Sequence, residues 1–237
     1  MMIKTPAIVL SSLKYGDSAK IIKLYTETSG LKSFISNSVY TKHNRKNALF
    51  TSLNQIEIIF EDKNNQNLLY FKEVSHAFHY ESLYQSPTKT TIALFLSEIL
   101  NSVLNEEESN RPLFQFIKNS LIEFDKKQTA FADFHLWFLT NLTRYLGFYP
   151  NLENDAHYFD LTNGVSSQEI PSGFYITGTD LQNFEKLISL NFFNQSQTAF
   201  SQQQRNLLLS TLVRYYELHL ADFRQPKSLE ILNQIFD

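Results

Sequence analysis

The sequence predicts an α+β chain in two parts: a small five-stranded barrel, then a helical domain interrupted by an irregular insert. Three observations carry this expectation. Residues 1–80 hold short apolar runs separated by turn signals. From Ser86 the apolar spacing lengthens to the three or four residues of a helix. Residues 151–179 then break that period with Asn, Gly and Pro clusters.

The strands come first. Ala7–Ser11 is a β-rich run, and Tyr15-Gly16-Asp17-Ser18 turns the chain. In Lys20–Thr26, Ile22 and Leu24 point one way while Ile21, Lys23 and Tyr25 point the other. Ser29-Gly30 makes the next turn into Leu31–Ser36, where Phe34 is expected in the core. A polar loop over residues 37–47 leads to Gln55–Phe60, and Asn64–Asn67 turns into Leu68–Glu73. Five short strands are too few for an immunoglobulin sandwich. They suit a closed barrel, for which the OB-fold is the common five-strand solution and which leaves no apolar edge exposed. The barrel domain is therefore set at residues 1–80 and the helical domain at 81–237.

The helices follow. Pro87 marks a helix start, and Ile92, Phe95, Ile99 and Val103 form its apolar stripe. Asn110 and Pro112 open a second helix carrying Leu113, Phe116, Ile117, Leu121 and Phe124. A third runs from Ala130 to Leu146, with Gly147 as its C-terminal cap and Pro150 blocking continuation. After the insert, Thr179-Asp180 is expected to cap a helix over Leu181–Leu190. Ser201 with Gln204 forms a capping box ahead of a long helix, and Lys227-Ser228 starts a last short one.

Composition excludes several classes. There is no cysteine, hence no disulfide or thiolate zinc site. No run of about 18 apolar residues exists to span a membrane, and the N-terminus reads as a first strand rather than a secretory signal. No phosphate-cradling glycine loop, GxSxG elbow or HExxH occurs. His76 with His79 offers no third ligand, and Asp155 and Asp160 beside His157 fit turn chemistry in an Asn/Gly-rich loop, so no metal or cofactor is expected.

Charge is the informative signal. The net charge of −3 hides +6 over residues 1–47 and −9 over the remainder. Such a block fits a polyanion partner, and it equally fits a solvated charged face. Its placement is more specific. Lys42, Arg45 and Lys46 lie in the polar loop with Tyr40 among them, and cations beside a stackable ring are what sequence-tolerant single-strand binding requires. Lys14, Lys20, Lys23 and Lys32 extend the candidate set along the strands.

An ordered set of short motifs resembles the RecO family of bacterial recombination mediators. These are Ala7–Leu10, Tyr15–Ser18, Lys20–Ile22, Leu24–Thr26 and Gly30-Leu31, then the basic loop, Leu49–Phe60, Tyr145–Leu152 and Lys227–Leu229. The resemblance implies an N-terminal OB-fold and a C-terminal helical domain. It also implies binding of single- and double-stranded DNA, annealing of complementary strands, and help in loading recombinase onto strands coated by single-strand-binding protein. RecR, in many bacteria RecF, and the C-terminal tail of single-strand-binding protein are the implied partners. Arg144, Arg205 and Arg214 are the candidate cations for partner binding on the helical domain. Many members carry four zinc-binding cysteines in the insert. Here there are none, and packing of residues such as Phe159 and Phe174 is expected to hold the insert. The chain is thus expected to be a cytoplasmic, nucleoid-associated, non-enzymatic DNA-repair protein. Its alternative is a protein-interaction adaptor in the same pathway with little DNA binding of its own, and a nuclease is disfavoured because the basic stretch offers only Asp17 and Glu27.

Overall fold

A computed structural model describes residues 1–17, 19–37, 45–62, 68–106 and 108–234, with the side chains of Arg45, Lys46 and Asn233 outside that description. The chain forms two compact units. One is Met1–Asp125 with Pro226–Leu229, and the other is Lys126–Gln225 with Glu230–Asp237.

In the first unit, β1 (Met2–Tyr15), β2 (Ala19–Thr26), β3 (Gly30–Ser36), β4 (Gln55–Glu61) and β5 (Leu69–His76) close into a barrel of order β1-β2-β3-β5-β4. This is the OB arrangement that the strand count predicts. β1 is longer than the expected Ala7–Ser11. Its first half pairs with β4 and its second half with β2, and a bulge between Val9 and Ser11 bends it from one partner to the other. Val9, Ile22, Leu24, Phe34, Ile56, Ile58, Phe60 and Leu69 fill the interior. Phe34 lies edge-on to Phe60 at 5.2 Å and stacks on Phe71 at 4.6 Å.

Helices α1 (Pro87–Val103) and α2 (Arg111–Lys126) pack within this unit. Ser86 caps α1 by accepting the Lys89 N–H, with Pro87 just inside. The face of α2 includes Phe114, absent from the expected stripe, whose ring meets Tyr25 at 6.1 Å. Glu27 accepts from Arg111 Nε at 3.1 Å and Gln115 Nε2 at 2.7 Å. At the end of α2 the Asp125 carboxylate accepts the N–H groups of Glu81, Ser82 and Leu83 at 2.7–2.8 Å. Buried Lys89 donates to the Phe124 and Asp125 carbonyls, which have no helical partner there. Ser228 donates its N–H and hydroxyl to the Glu98 carboxylate just before α6 (Leu229–Gln234).

The second unit contains α3 (Phe134–Leu146), α4 (Gly178–Ile188), α5 (Gln202–His219) and a small sheet of β6 (Tyr158–Asp160), β7 (Val165–Ser167) and β8 (Tyr175–Thr177). Gly147 ends α3 at φ 87°, a left-handed conformation that glycine adopts without strain. The Ser201–Gln204 capping box is present. The insert is more regular than its composition predicts, forming an antiparallel sheet of order β7-β6-β8. Two expectations need correction. α4 starts at Gly178, ahead of the expected Thr179-Asp180 cap, and no side chain caps it. Phe159 is buried against Phe184 as expected, but Phe174 is 52% exposed, because it lies on the surface beside Arg214 rather than under the sheet.

Candidate nucleic-acid interface

One mouth of the barrel gathers part of the predicted basic set. Lys14 and Lys20 stand opposite each other at the hairpin-turn end of the β1–β2 ladder. They share the strand face of Ile22 and Phe34, so they continue the interior rows upward to the rim. Lys20 Nζ donates to Asn47 Oδ1 at 2.7 Å, within a 3-10 helix over Arg45–Phe50. That helix ends in Leu49 and Phe50, both buried in the barrel core, with Phe50 stacked on Phe71 at 5.4 Å. Asn54 holds its backbone by donating to the Ala48 and Leu49 carbonyls at 2.8 and 3.1 Å. The C-terminal end of the basic loop is thereby pinned to the rim where Lys14 and Lys20 lie. Leu49, Phe50 and Asn54 are positioning residues that the sequence reading missed. Their signal was the apolar pair Leu49-Phe50 just after the polar loop, within a stretch read only as the Leu49–Phe60 motif.

The other expected cations divide. Tyr40 and Lys42 lie outside the described residues, and Arg45 and Lys46 are placed by their backbone within the 3-10 helix. Lys32 pairs with Leu24 and is four residues from Ser36, the partner of Lys20, which separates it from the rim cations by roughly 13 Å along the strand. Lys23 is half-buried and donates to the Asn101 carbonyl of α1 at 3.2 Å, and burial pushes its pKa down. It serves the packing of α1 on the barrel and does not join the rim cluster.

In the second unit, Arg205 is a buried structural residue rather than a surface cation. It is 8% exposed, donates to the Phe200 carbonyl at 2.6 Å and lies 3.5 Å from the Asp133 carboxylate. Arg144 is exposed but lies on the Tyr149 ring, 3.8 Å from its centroid, and donates to its hydroxyl. Arg214 pairs with Glu217 at 2.9 Å and faces the Phe174 ring.

The rings of His76 and His79 lie 4.3 Å apart on the surface, and partial burial together with the neighbouring imidazole lowers the His76 pKa. Among the described residues no group of three or more His, Asp or Glu is placed to hold a metal ion. Among them, too, no helix is long and apolar enough to cross a membrane.

Comparison with known proteins places this geometry in context. The family model for the N-terminal part of recombination protein O matches residues 1–78, and that for its C-terminal part matches residues 84–230. The DNA repair protein RecO of Flavobacterium psychrophilum is 39% identical over 241 residues, covering all of both chains. Those of Christiangramia forsetii and Bacteroides fragilis are 38% and 37% identical over 239 and 243 residues, again over the whole of both chains.

Proposed function

The chain belongs to the RecO family of DNA repair proteins, and we propose that it works as a recombination mediator without covalent chemistry of its own. In this reading it binds single- and double-stranded DNA through residues 1–80 and anneals complementary strands. With RecR, and with RecF where present, it helps load recombinase onto DNA coated by single-strand-binding protein. Residues 81–237 would receive the tail of that protein, Arg144 and Arg214 being the two of the three candidate arginines that lie on the surface. The observation that carries the DNA-binding reading is the rim cluster. Lys14 and Lys20 face each other where the end of the basic loop is tied down. Annealing requires two phosphate backbones near one cationic surface while the bases stay free to pair.

The test is salt-dependent DNA binding. Replacing Lys42, Arg45 and Lys46 together by Gln is expected to weaken binding to all sequences alike. It should lower the magnitude of the log–log salt slope on single strands by about 2. An unchanged affinity and slope would remove the loop from the interface. The adaptor reading is supported by the net −9 of residues 48–237. It predicts no DNA binding at moderate salt alongside a stable complex with RecR.

A further inference from the structure

The turn that carries the chain from the 3-10 helix into β4 is strained and held from two sides. Leu53, fully buried, has φ 64°, a left-handed conformation that a residue with a Cβ keeps only where its surroundings enforce it. Its N–H donates to the Val9 carbonyl at 2.7 Å, and the Val9 N–H donates to the Asn54 carbonyl at 3.0 Å, so the turn is tied to β1 at the bulge. Two phenols from the segment between β5 and α1 hold the other side. Tyr80 donates to the Leu53 carbonyl at 3.0 Å, and Tyr84 donates to the Ser52 carbonyl at 2.8 Å. Gln55 Nε2 donates to the Tyr80 hydroxyl at 2.9 Å, which leaves the phenol proton for Leu53. The two rings meet edge to face at 5.7 Å. Behind them Asp125 fixes the same segment through the N–H groups of Glu81, Ser82 and Leu83. Ahead of them the Asn54 side chain passes the constraint to the Ala48 and Leu49 carbonyls, and Asn47 meets Lys20 at the rim. A run of hydrogen bonds thus leads from the end of α2 to the end of the basic loop.

We propose that Tyr84 is a positioning residue for DNA binding: it latches the turn over residues 52–54 and so holds the end of the basic loop at the barrel rim, without touching nucleic acid itself. The inference rests on the loop reading above and adds the device that orders the loop's end. Leu49 and Phe50 fix the 3-10 helix to the core, and Tyr84 fixes the turn that follows it. The Tyr84 hydroxyl serves a backbone carbonyl 32 residues away rather than its own segment, and its residue is 37% exposed, so it is a contact that can open without unpacking the barrel. A left-handed leucine relieves strain by leaving that conformation, which gives the turn a second arrangement once the latch is released. With the latch open, only a fraction of molecules presents the loop end at the rim, and the apparent affinity falls by that fraction. By linkage, nucleic acid on the loop favours the closed latch, so binding tightens the turn in return.

The experiment measures binding of an oligothymidylate to the full chain in four forms: wild type, Tyr84→Phe, the loop variant with Lys42, Arg45 and Lys46 replaced by Gln, and the two changes combined. Tyr84→Phe keeps the ring against Tyr80 and removes one hydroxyl, so a thermal melt should show it folded. It should weaken binding about fivefold, the scale of one hydrogen bond. The salt slope should not change, because the same phosphates are neutralised in the complex. In the loop variant, Tyr84→Phe should have no further effect on affinity, since the group it positions is gone. Native-state hydrogen exchange gives a second readout. The Leu53 and Asn54 N–H groups should exchange faster in Tyr84→Phe and regain protection when oligothymidylate is added. A loss of affinity that is equal in both backgrounds makes Tyr84 a support of the whole barrel and overturns the proposal, as does a Tyr84→Phe chain with wild-type affinity. A loop variant that binds as wild type does would instead remove the loop reading itself, and the latch's part in DNA binding with it.

Discussion

The barrel unit and the helical unit employ their cations differently. At the barrel rim, Lys14 and Lys20 project from the end of a hairpin. In the helical unit, each candidate arginine is engaged by its own surroundings: Arg205 by the Phe200 carbonyl and Asp133, Arg214 by Glu217, Arg144 by the Tyr149 ring. A helix surface offers a long side chain partners three and four residues away and from packed neighbours. At the hairpin end Lys20 is bonded to Asn47 of the basic loop, so its contact joins the rim to that loop rather than to a helix. Equal charges in the sequence therefore stand in different settings. The contrast is best tested by removing the buried charges, which should affect folding, and the rim charges, which should affect binding.

The largest effect is expected at Asp133. Its carboxylate is fully buried, accepts the Ala199 N–H at 2.6 Å and is the acid facing Arg205. Asp133→Ala leaves the guanidinium without that counter-charge, and chemical denaturation should show a loss of about 3–5 kcal/mol. Pairing it with Arg205→Met should recover much of this, because the uncompensated charge then disappears. DNA affinity of folded protein should not change. A loss of DNA affinity in the folded variant would return Arg205 to the candidate interface.

The barrel unit has a buried charge of its own. Asp125 serves three backbone N–H groups of the segment entering α1. Asp125→Ala strands those donors and is expected to cost about 3 kcal/mol. Native-state hydrogen exchange should locate the loss in residues 81–83. If exchange there stays protected, the carboxylate is not what holds the segment.

A pH effect follows from His135, beside the same arginine. Burial, helped by Arg205, lowers its pKa to about 3. The unfolded chain, with an ordinary imidazole near 6.5, binds a proton at a higher pH than the native state does. Stability therefore rises with pH between about 3 and 6.5 and is lost as pH falls through that window. At pH 5 the loss amounts to about 2 kcal/mol. His135→Gln should flatten this limb of the stability profile, and an unaltered acid limb would assign the effect elsewhere.

The legible parts of the chain were those encoded locally. The five strands, the Phe34 core position, the Gly147 cap and the Ser201 capping box each depend on residues within a few positions of one another. Long-range features were hidden. The role of Phe114 depends on Tyr25 arriving from β2, and the burial of Arg205 depends on Asp133, which is 72 residues away. The outward direction of Leu13, 65% exposed, was hidden for another reason. The β1 bulge shifts side-chain parity by one residue, and an alternation rule applied from Val9 onward assigns Leu13 to the wrong face.

The smallest effect separates two lysines that composition cannot distinguish. Lys14 and Lys20 lie on the rim, whereas Lys23, three residues further along β2, ties that strand to the α1 carbonyl of Asn101. Replacing Lys14 and Lys20 by Gln should reduce the salt slope for single strands by about 1.4, the counterions of two phosphates. Lys23→Gln should leave the slope unchanged and cost about 1 kcal/mol of stability through the weakened helix contact. The two readouts thus move in opposite variants. If Lys23→Gln lowers the slope as the rim changes do, then DNA competes with α1 for that ammonium, and the part of the barrel face under α1 opens when DNA binds.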